Sequence, residues 1–348
     1  MHDARIRSFA AAIFAALIAS GNAYGVQQRT FVASFGIDAD GCKLAAPCAT
    51  FAAAAAQTQE GGEIVVLDGG QFGPLTITTS IAIIAPRAVH AGIAVASGTG
   101  IVIAAPAKHV RLEGLSVQGT GGAIGVRIDD AGLVIIERCS VTGFSDAGIK
   151  SAASGARIFV HDSLVSDNST GIKIDGPTTI IVEGSRVESN VGQGIALATG
   201  PATIANSTVV RNGSHGISVT GASTAIVGTL IAENGADGIH ATATAPTSLT
   251  LSLSTSQVRH NDNGVVLLAS SGASIGVDIE DSALSDHLHA ALSASNTGGT
   301  IKITLTGNAI TQNTTGVANT GAIIESRGNN TFNYNGANGG PFTPIQGV

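Results

Sequence analysis

One short phrase recurs along this chain every 22 to 27 residues: a branched aliphatic residue, two variable residues, then Asn, followed closely by Gly and a second aliphatic residue. The Asn column reads Asn168, Asn190, Asn212, Asn234, Asn261, His287, Asn313 and Asn335. The Gly column reads Gly125, Gly148, Gly171, Gly194, Gly216, Gly238 and Gly264, lapses at His289 and resumes at Gly316. Self-similarity at a period of about 20 to 50 residues indicates stacked repeats. We therefore expect a solenoid in which each repeat forms one coil.

Within each repeat the apolar residues fall at every second position, as in the run from Gly171 to Ile174. That spacing is typical of β-strands, and each run is too short for a helix. Three short strands per repeat, separated by bends at Gly, Ser, Asn or Asp, predict an all-β, single-stranded right-handed parallel β-helix. A leucine-rich repeat has a similar period and an Asn column, but Leu dominates its apolar positions and one segment per repeat is helical. Here Val and Ile dominate, which favours the β-helix.

Two polar columns are expected to point inward and to serve as scaffold. An Asn at a tight bend satisfies backbone groups that the bend leaves unpaired, and stacked amides can bond to one another along the axis. The second column lies two residues before the aliphatic position and reads Cys139, Ser163, Ser185, Ser207, Thr229, Ser256, Ser282 and Asn308. A thiol in such a column is expected to be buried and inert. Neither column is a candidate for catalysis.

Residues 1–25 have the pattern of a secretory signal. Arg5 and Arg7 precede an apolar stretch, and small residues lie near Gly25. We expect cleavage there and a secreted or periplasmic bacterial protein. No later stretch has the roughly 18 uninterrupted apolar residues of a membrane-spanning helix.

Residues 26–60 precede the repeats and are expected to cap the open end of the stack, because exposed strand edges and bare core must be covered. Cys42 and Cys48 are close enough in sequence to form a disulfide in an exported protein. Thr50 is expected to cap a short helix over Ala52–Ala56. The β-helix is assigned to residues 61–335, and residues 336–348 form a C-terminal tail.

The coils between Asn234 and Asn313 are longer than the others by four or five residues. The additional residues are expected to form adjacent loops around Ala241–Thr250, Ser270–Ser274 and Ser295–Thr300. In repeat proteins such insertions often mark a working face, although longer bends are the simpler interpretation.

The chain has a formal net charge of −7, and aromatic residues make up 3% of it. An acidic surface argues against nucleic acid as a partner. The scarcity of aromatic rings matters for function because sugar-binding grooves commonly use flat aromatic faces. The sequence indicates no oligomeric state and no required cofactor.

One outward column contains basic residues near carboxylates. The position two residues after Gly holds Arg127, Lys150 and Lys173 on successive coils, and Asp129 and Asp175 follow on the same coils. Such a ridge could bind a uronic-acid polymer or abstract the proton α to a carboxylate. The alternative is that these are solvated strand residues of an ordinary β-helix surface.

A second outward column contains Glu113 and Glu137. Stacked carboxylates repel one another unless they are protonated or bridged by a cation. The pair is therefore a candidate Ca²⁺ or acid–base site. The alternative is an ordinary surface in which Arg111 and Arg138 neutralise both charges.

The third candidate cluster lies where the Asn and Gly columns both lapse. It consists of Arg259, His260, Asp262, Asp286, His287 and His289. A break in a repeat rule is where function is expected to override it, so a ligand, transition-metal or acid–base site is one interpretation. A tolerated irregularity of the repeat is the other.

The Asn and Gly columns, the N-terminal cap and the signal together resemble the bacterial right-handed β-helix proteins of the pectate-lyase-like superfamily. The resemblance covers roughly residues 60–335 and implies the fold. It also implies acidic polysaccharides as substrates of many members, whereas others are adhesins and tailspikes. The signatures of galacturonan hydrolases are not present as a set, so no catalytic residue carries over.

Two functions follow as expectations. The first is a secreted scaffold or binding protein at the bacterial cell envelope or extracellular matrix, with a polysaccharide as the candidate partner. The second is a polysaccharide lyase or hydrolase that acts on an acidic glycan through the basic column. Fold alone does not decide between them.

Overall fold

The computed structural model describes residues 26–39 and 41–345. The predicted signal sequence lies outside the described residues, so secretion stays a prediction. The described chain is an all-β parallel β-helix, which confirms the predicted fold class. Each coil contributes one strand to each of three parallel sheets, and the buried Val, Ile and Leu side chains of all three meet in one continuous core.

The first sheet follows the Gly column. Its strands are Leu75–Ile77, the beginnings of Thr99–Glu113 and Ile124–Glu137, Ala147–Ser151, Thr170–Ile174, Ile195–Leu197, Ile217–Val219, Ile239–Ala243, Val265–Ser270, Ala290–Thr297, Thr315–Thr320 and Ala337–Gly339.

The second sheet continues directly from the first in two of the coils. Its strands are Gln27–Val32, Thr58–Val66, Ile81–Ile84, the ends of Thr99–Glu113 and Ile124–Glu137, Arg157–His161, Thr179–Glu183, Ala202–Ala205, Thr224–Val227, Ser248–Ser254, Ser274–Glu280, Thr300–Thr306, Ile323–Ser326 and Thr343–Pro344.

The third sheet precedes the Asn column. Its strands are Gly70–Gln71, Ala91–Val95, Leu115–Gly119, Ser140–Thr142, Leu164–Ser166, Arg186–Glu188, Thr208–Val210, Leu230–Ala232, Gln257–Arg259, Ala283–Ser285, Ala309–Thr311 and Thr331–Asn333.

The Asn column is buried and bonds both along the axis and across the bend. Asn190 Oδ1 accepts the backbone N–H of Asn168 at 3.0 Å and the Nδ2 of the same residue at 3.1 Å. Asn190 Nδ2 in turn donates to the carbonyl oxygen of Val165 at 3.3 Å and to Asn212 Oδ1 at 2.9 Å. Each amide therefore satisfies backbone groups that the bend cannot pair, which confirms its structural role.

The hydroxyl column works in the same way. Ser185 Oγ accepts the backbone N–H of Ser163 at 3.1 Å and donates to the carbonyl oxygen of Glu183 at 3.0 Å. Cys139 occupies this column as a buried free thiol, and its Sγ lies 3.3 Å from the carbonyl oxygen of Glu137. Burial raises the pKa of the Cys139 thiol to about 12, as expected for an inert cysteine.

Each regular coil turns at two residues with left-handed backbone geometry, one immediately before each polar column. The bends before the hydroxyl column are at Arg138, Asp162, Gly184, Asn206, Gly228, Thr255, Asp281 and Gly307. The bends before the Asn column are at Asp167, Ser189, Arg211, Glu233, His260, Asp286, Gln312 and Tyr334. A positive φ is uncommon for residues such as Glu and Arg, so the repeat geometry overrides their local preference.

A helix covers the N-terminal end of the core, as predicted. It spans Phe51–Gln57, and Thr50 Oγ1 accepts the backbone N–H of Ala53 at 3.1 Å. The helix buries Phe51, whose ring centroid lies 5.1 Å from that of Phe72. The predicted disulfide is confirmed and joins Cys42 to Cys48 beside this cap.

The longer coils correct one expectation from the sequence. Their additional residues lengthen strands instead of forming loops, so that Ser248–Ser254 and Ser274–Glu280 pair over seven residues each. Only short turns remain between the strands, at residues 244–247, 271–273 and 298–299. Alternating Leu, Ile and Val in these segments favours extension of the sheet over a projecting loop.

The Gly column lapses at a different residue from the one expected. Strand register pairs Val265 with Leu292, which places Ala291 opposite Gly264, so the column lapses at Ala291 and not at His289. The segment after residue 335 adds the strands Ala337–Gly339 and Thr343–Pro344, which pair with the preceding coil.

Candidate functional site

Register in the first sheet aligns the predicted basic residues on consecutive rungs. Arg127 lies opposite Lys150, and Lys150 lies opposite Lys173. We call these three residues the cationic ladder. Their side chains keep 40%, 24% and 35% of their surface exposed. Three positive groups therefore face solvent at the strand spacing of about 4.8 Å.

Two carboxylates neutralise part of this charge. Arg127 forms a two-point contact with Asp129, at 2.8 Å from Nε to Oδ1 and 2.9 Å from Nη2 to Oδ2. Lys150 Nζ lies 2.8 Å from Asp146 Oδ2, and Lys173 Nζ lies 4.0 Å from Asp146 Oδ1. Asp146 was not predicted from the sequence, because it precedes the strand by one residue and belongs to no repeated column. The predicted Asp175 is exposed at the end of the Lys173 strand.

The ladder continues along the same face to a second polar group. Lys173 is followed rung by rung by Ala196, Ser218 and His240. His240 Nδ1 lies 2.7 Å from Asp237 Oδ2, and His215 Nδ1 lies 3.3 Å from the same oxygen. We call His215, Asp237 and His240 the histidine–aspartate cluster.

The cluster is compact and partly enclosed. The two imidazole rings stack with centroids 4.3 Å apart and an interplanar angle of 23°. Asn263 Nδ2 donates to Asp237 Oδ1 at 2.9 Å, and Asn263 Oδ1 accepts the backbone N–H of Ala290 at 3.1 Å. Burial acts to raise the pKa of Asp237, but its interactions with His215, His240 and Asn263 outweigh burial and hold that pKa well below its ordinary value. Asp237 is therefore ionised at neutral pH.

This cluster is the main feature that the sequence analysis missed. His215, Asp237 and Asn263 each occupy the position immediately before the Gly of their coil. Their alignment is a repeat signal of the same kind as the Asn column. It was overlooked because the residue type changes from coil to coil, whereas its polar character and its spacing persist.

The predicted acidic pair lies in the second sheet, where Glu113 is opposite Glu137. Arg138 binds both carboxylates, at 2.7 Å from Nη1 to Glu137 Oε1 and by a closer contact to Glu113. Arg111 Nη2 also reaches both, at 2.7 Å and 2.8 Å. The four residues form a closed ion-pair network, and a Ca²⁺ ion there would have to displace two guanidinium groups. A calcium site at this pair stays a prediction that the network disfavours.

Four members of the third predicted cluster, His260, Asp262, Asp286 and His287, line one open surface hollow, although their side chains do not all meet at one point. His287 points into the core, where Nε2 lies 3.0 Å from the carbonyl oxygen of Val258 and the side chain is buried. His289 and Asp262 form a separate exposed pair at 2.8 Å. The remaining members are the left-handed bend residues His260 and Asp286 and the half-buried Arg259. His287 therefore has a structural role, and a functional site among the other members of the cluster stays a prediction.

Across residues 26–39 and 41–345, no helix is long and apolar enough to cross a membrane.

Comparison with known proteins agrees with the architecture. Residues 99–252 match the family described as right handed beta helix region, which confirms the right-handed parallel β-helix. No curated protein matches the sequence of this chain.

Solved structures share the fold at low sequence identity. The Azotobacter vinelandii mannuronan C-5 epimerase AlgE4 A-module is 17% identical with a TM-score of 0.55, over 81% of this chain and 87% of that one. The AlgE6 A-module from the same organism is 13% identical with a TM-score of 0.54, over 82% and 89%. Dettilon tailspike protein is 15% identical with a TM-score of 0.53, over 88% and 68%.

Proposed function

We propose that this protein binds an acidic polysaccharide along the cationic ladder, as a secreted β-helix scaffold or binding protein at the bacterial cell envelope or extracellular matrix. The observation that carries the proposal is the alignment of Arg127, Lys150 and Lys173 on three consecutive rungs of one exposed sheet.

The spacing of the ladder suits a linear charged polymer. Neighbouring rungs lie about 4.8 Å apart, which is comparable with the length of one sugar residue. A uronate polymer carries one carboxylate per sugar, so successive carboxylates can meet successive cations. Arg127 adds a planar two-point donor that matches carboxylate geometry.

The neighbouring aspartates decide the strength of this binding. Asp129 and Asp146 compete with the polymer for the same cations, at 2.8 Å each. Exposed ion pairs of this kind contribute little, about 0–1 kcal/mol, so a polyanion can replace them. Weak contacts repeated along a chain give useful avidity. The similar folds of two modules named for mannuronan support a polysaccharide as the ligand.

Binding can be measured with polygalacturonate and alginate, with neutral dextran as the comparison polymer. We expect the triple variant Arg127→Ala/Lys150→Ala/Lys173→Ala to lose binding at least about tenfold, and added salt to weaken binding of the parent protein because exposed charges are screened. Lys302→Ala is the matched control, since Lys302 lies outward in the second sheet, away from the cationic ladder, and pairs with Glu325 at 2.9 Å. Equal affinity for dextran and polygalacturonate would contradict the proposal.

A second candidate function is the lyase, and one observation favours it. Lys173 Nζ lies 4.0 Å from Asp146, beyond hydrogen-bond distance, so this amine is less tightly held than that of Lys150. Lys173 is therefore the candidate base for abstracting the proton α to a uronate carboxylate. Incubation with the same polymers should then raise absorbance from new unsaturated ends, and Lys173→Ala should abolish it. Binding without any rise in absorbance would leave the binding function and remove the lyase.

A further inference from the structure

We propose that His215, Asp237 and His240 form a binding site for one divalent transition-metal ion, with Zn²⁺ as the probe. The site is separate from glycan binding, since it requires none of the residues of the cationic ladder and would bind metal in the absence of any polysaccharide.

The three candidate ligands lie close to the separations that one ion would impose. His215 Nδ1 and His240 Nδ1 are 3.3 Å and 2.7 Å from Asp237 Oδ2, and one ligand atom from each residue lies within 4.8 Å of the other two. Tetrahedral Zn²⁺ with bonds of about 2.0–2.1 Å holds its ligand atoms about 3.3 Å apart. Small rotations of the two rings would therefore place an ion between the three atoms.

Hydrogen bonds alone do not satisfy all the polar atoms of this cluster. His240 Nδ1 lies 2.7 Å from Asp237 Oδ2 and can donate a hydrogen bond to it. His215 Nδ1 accepts the backbone N–H of Asp237 at 3.3 Å, so it presents a lone pair, and not a proton, to the same carboxylate oxygen 3.3 Å away. Two lone pairs at that distance repel each other. A cation between them would accept lone pairs from both rings and from the oxygen.

The donor set selects the class of ion. Two imidazole nitrogens and one carboxylate suit Zn²⁺ and similar transition metals, and three protein ligands leave one position open. Ca²⁺ requires about six to eight oxygen ligands. Asp237 offers two oxygens, and its Oδ1 already accepts a hydrogen bond from Asn263 at 2.9 Å.

The surroundings of the cluster fit a metal site in two further respects. Asn263 holds the Asp237 carboxylate in place and is itself fixed by the backbone N–H of Ala290, an arrangement typical of residues that orient metal ligands. Both histidine side chains are 22% exposed, and that of Asp237 is 10% exposed, so an ion can enter from solvent. The open coordination position would face the same surface as the cationic ladder.

The test uses the full chain after treatment with EDTA and gel filtration. Zn²⁺ binding is measured by calorimetry, and Co²⁺ is titrated in parallel because its visible absorption reports coordination geometry. We expect one equivalent per chain. The double variant His215→Gln/His240→Gln should bind at least about a hundredfold more weakly, and Asn263→Ala about 10- to 100-fold more weakly, because it loosens a ligand without removing one.

His161→Gln is the matched control, because His161 is also an outward strand histidine in contact with a carboxylate, Glu183 at 3.1 Å, but its neighbouring rungs carry Glu137 and Glu183 and no second histidine. It should bind Zn²⁺ like the parent protein. Far-UV circular dichroism and melting in EDTA establish that each variant is folded, and Zn²⁺ should raise the melting temperature of the parent but not of the double variant. A folded parent protein that binds no stoichiometric Zn²⁺ overturns the proposal, as does undiminished binding by the double variant.

Discussion

His287 takes the place of an asparagine beside Asn261: its Nδ1 accepts the backbone N–H of Asn261 at 3.3 Å. Its Nε2 donates to the carbonyl oxygen of Val258 at 3.0 Å, the contact that an Asn Nδ2 makes in the other coils. One imidazole tautomer, with the proton on Nε2, satisfies both bonds. The imidazole lacks the second N–H of an amide. The series of hydrogen bonds between asparagine side chains therefore stops at Asn261 and starts again at Asn313.

Substitution at position 287 tests this equivalence. His287→Ala would leave the Asn261 N–H and the Val258 carbonyl buried and unpaired, and each such group costs about 1–3 kcal/mol. His287→Asn keeps both bonds and should stay within about 1 kcal/mol of the parent protein. Urea unfolding followed by circular dichroism measures both free energies. Similar losses in the two variants would mean that volume, not hydrogen bonding, sets the requirement.

The same residue predicts a pH dependence. Burial lowers the pKa of His287 from its ordinary value of 6.5 to about 4. The unfolded state therefore binds more protons between these two values, so the free energy of unfolding falls as pH drops from about 6.5 to about 4 and is insensitive to this residue above that range. The full loss is about 3 kcal/mol. Unfolding curves at pH 7 and pH 5 should diverge less for His287→Asn than for the parent.

Cys139 should be unreactive in the folded protein and replaceable by serine. Burial raises its thiol pKa to about 12, so thiolate is scarce at neutral pH. A thiol reagent should label it in urea and not in buffer. Cys139→Ser should be neutral or stabilise by up to about 1 kcal/mol, because serines in the neighbouring coils make the same contact, as Ser163 Oγ does with the carbonyl oxygen of His161 at 2.7 Å. Rapid labelling in buffer would show that the column is open to solvent.

The left-handed bends predict a stabilising substitution. Glu233 is exposed and has a φ of 57°. Asn tolerates this conformation better than Glu, so Glu233→Asn should raise the free energy of unfolding by up to about 1 kcal/mol. Glu280→Asn provides the comparison, since Glu280 is also exposed but lies in an extended strand, where Asn is disfavoured. A gain at both positions would point to charge removal and not to backbone geometry.

Structural features that repeat exactly from coil to coil could be predicted from the sequence. The inward columns at Asn190 and Ser185 and the outward alignment of Lys150 with Lys173 follow from the period alone, because register in a parallel stack maps equal positions onto neighbours. Two features, the left-handed bends and the histidine–aspartate cluster, could not be predicted in this way. The left-handed geometry at Glu233 is a property of the bend and not of the residue type, so no residue propensity indicates it.

The histidine–aspartate cluster escaped for a different reason. The cluster combines residues of two columns. One column immediately precedes the Gly of each coil, and the other lies two residues after that Gly. Side chains of the two columns, such as Asp237 and His240, meet only because the chain bends between them. At His287 the sequence allows two interpretations, because a change of residue type can accompany a change of role. Imidazole can reproduce the hydrogen bonds of the amide, and only the structure shows that it does so here.

Because the strands of the first sheet pair in register, the number of coils between two surface groups fixes the distance between them. One coil, that of Ala196, lies between the coil of Lys173 and the coil of Ser218, which carries His215 of the histidine–aspartate cluster. The Ala196 coil has the same bends and the same inward polar contacts as its neighbours. Removing it would let the flanking coils rejoin through equivalent bonds and would bring the cationic ladder one strand spacing nearer to the histidine–aspartate cluster. The distance between these two surfaces is therefore counted in whole coils, and gain or loss of a repeat can change it in fixed steps without redesigning either one.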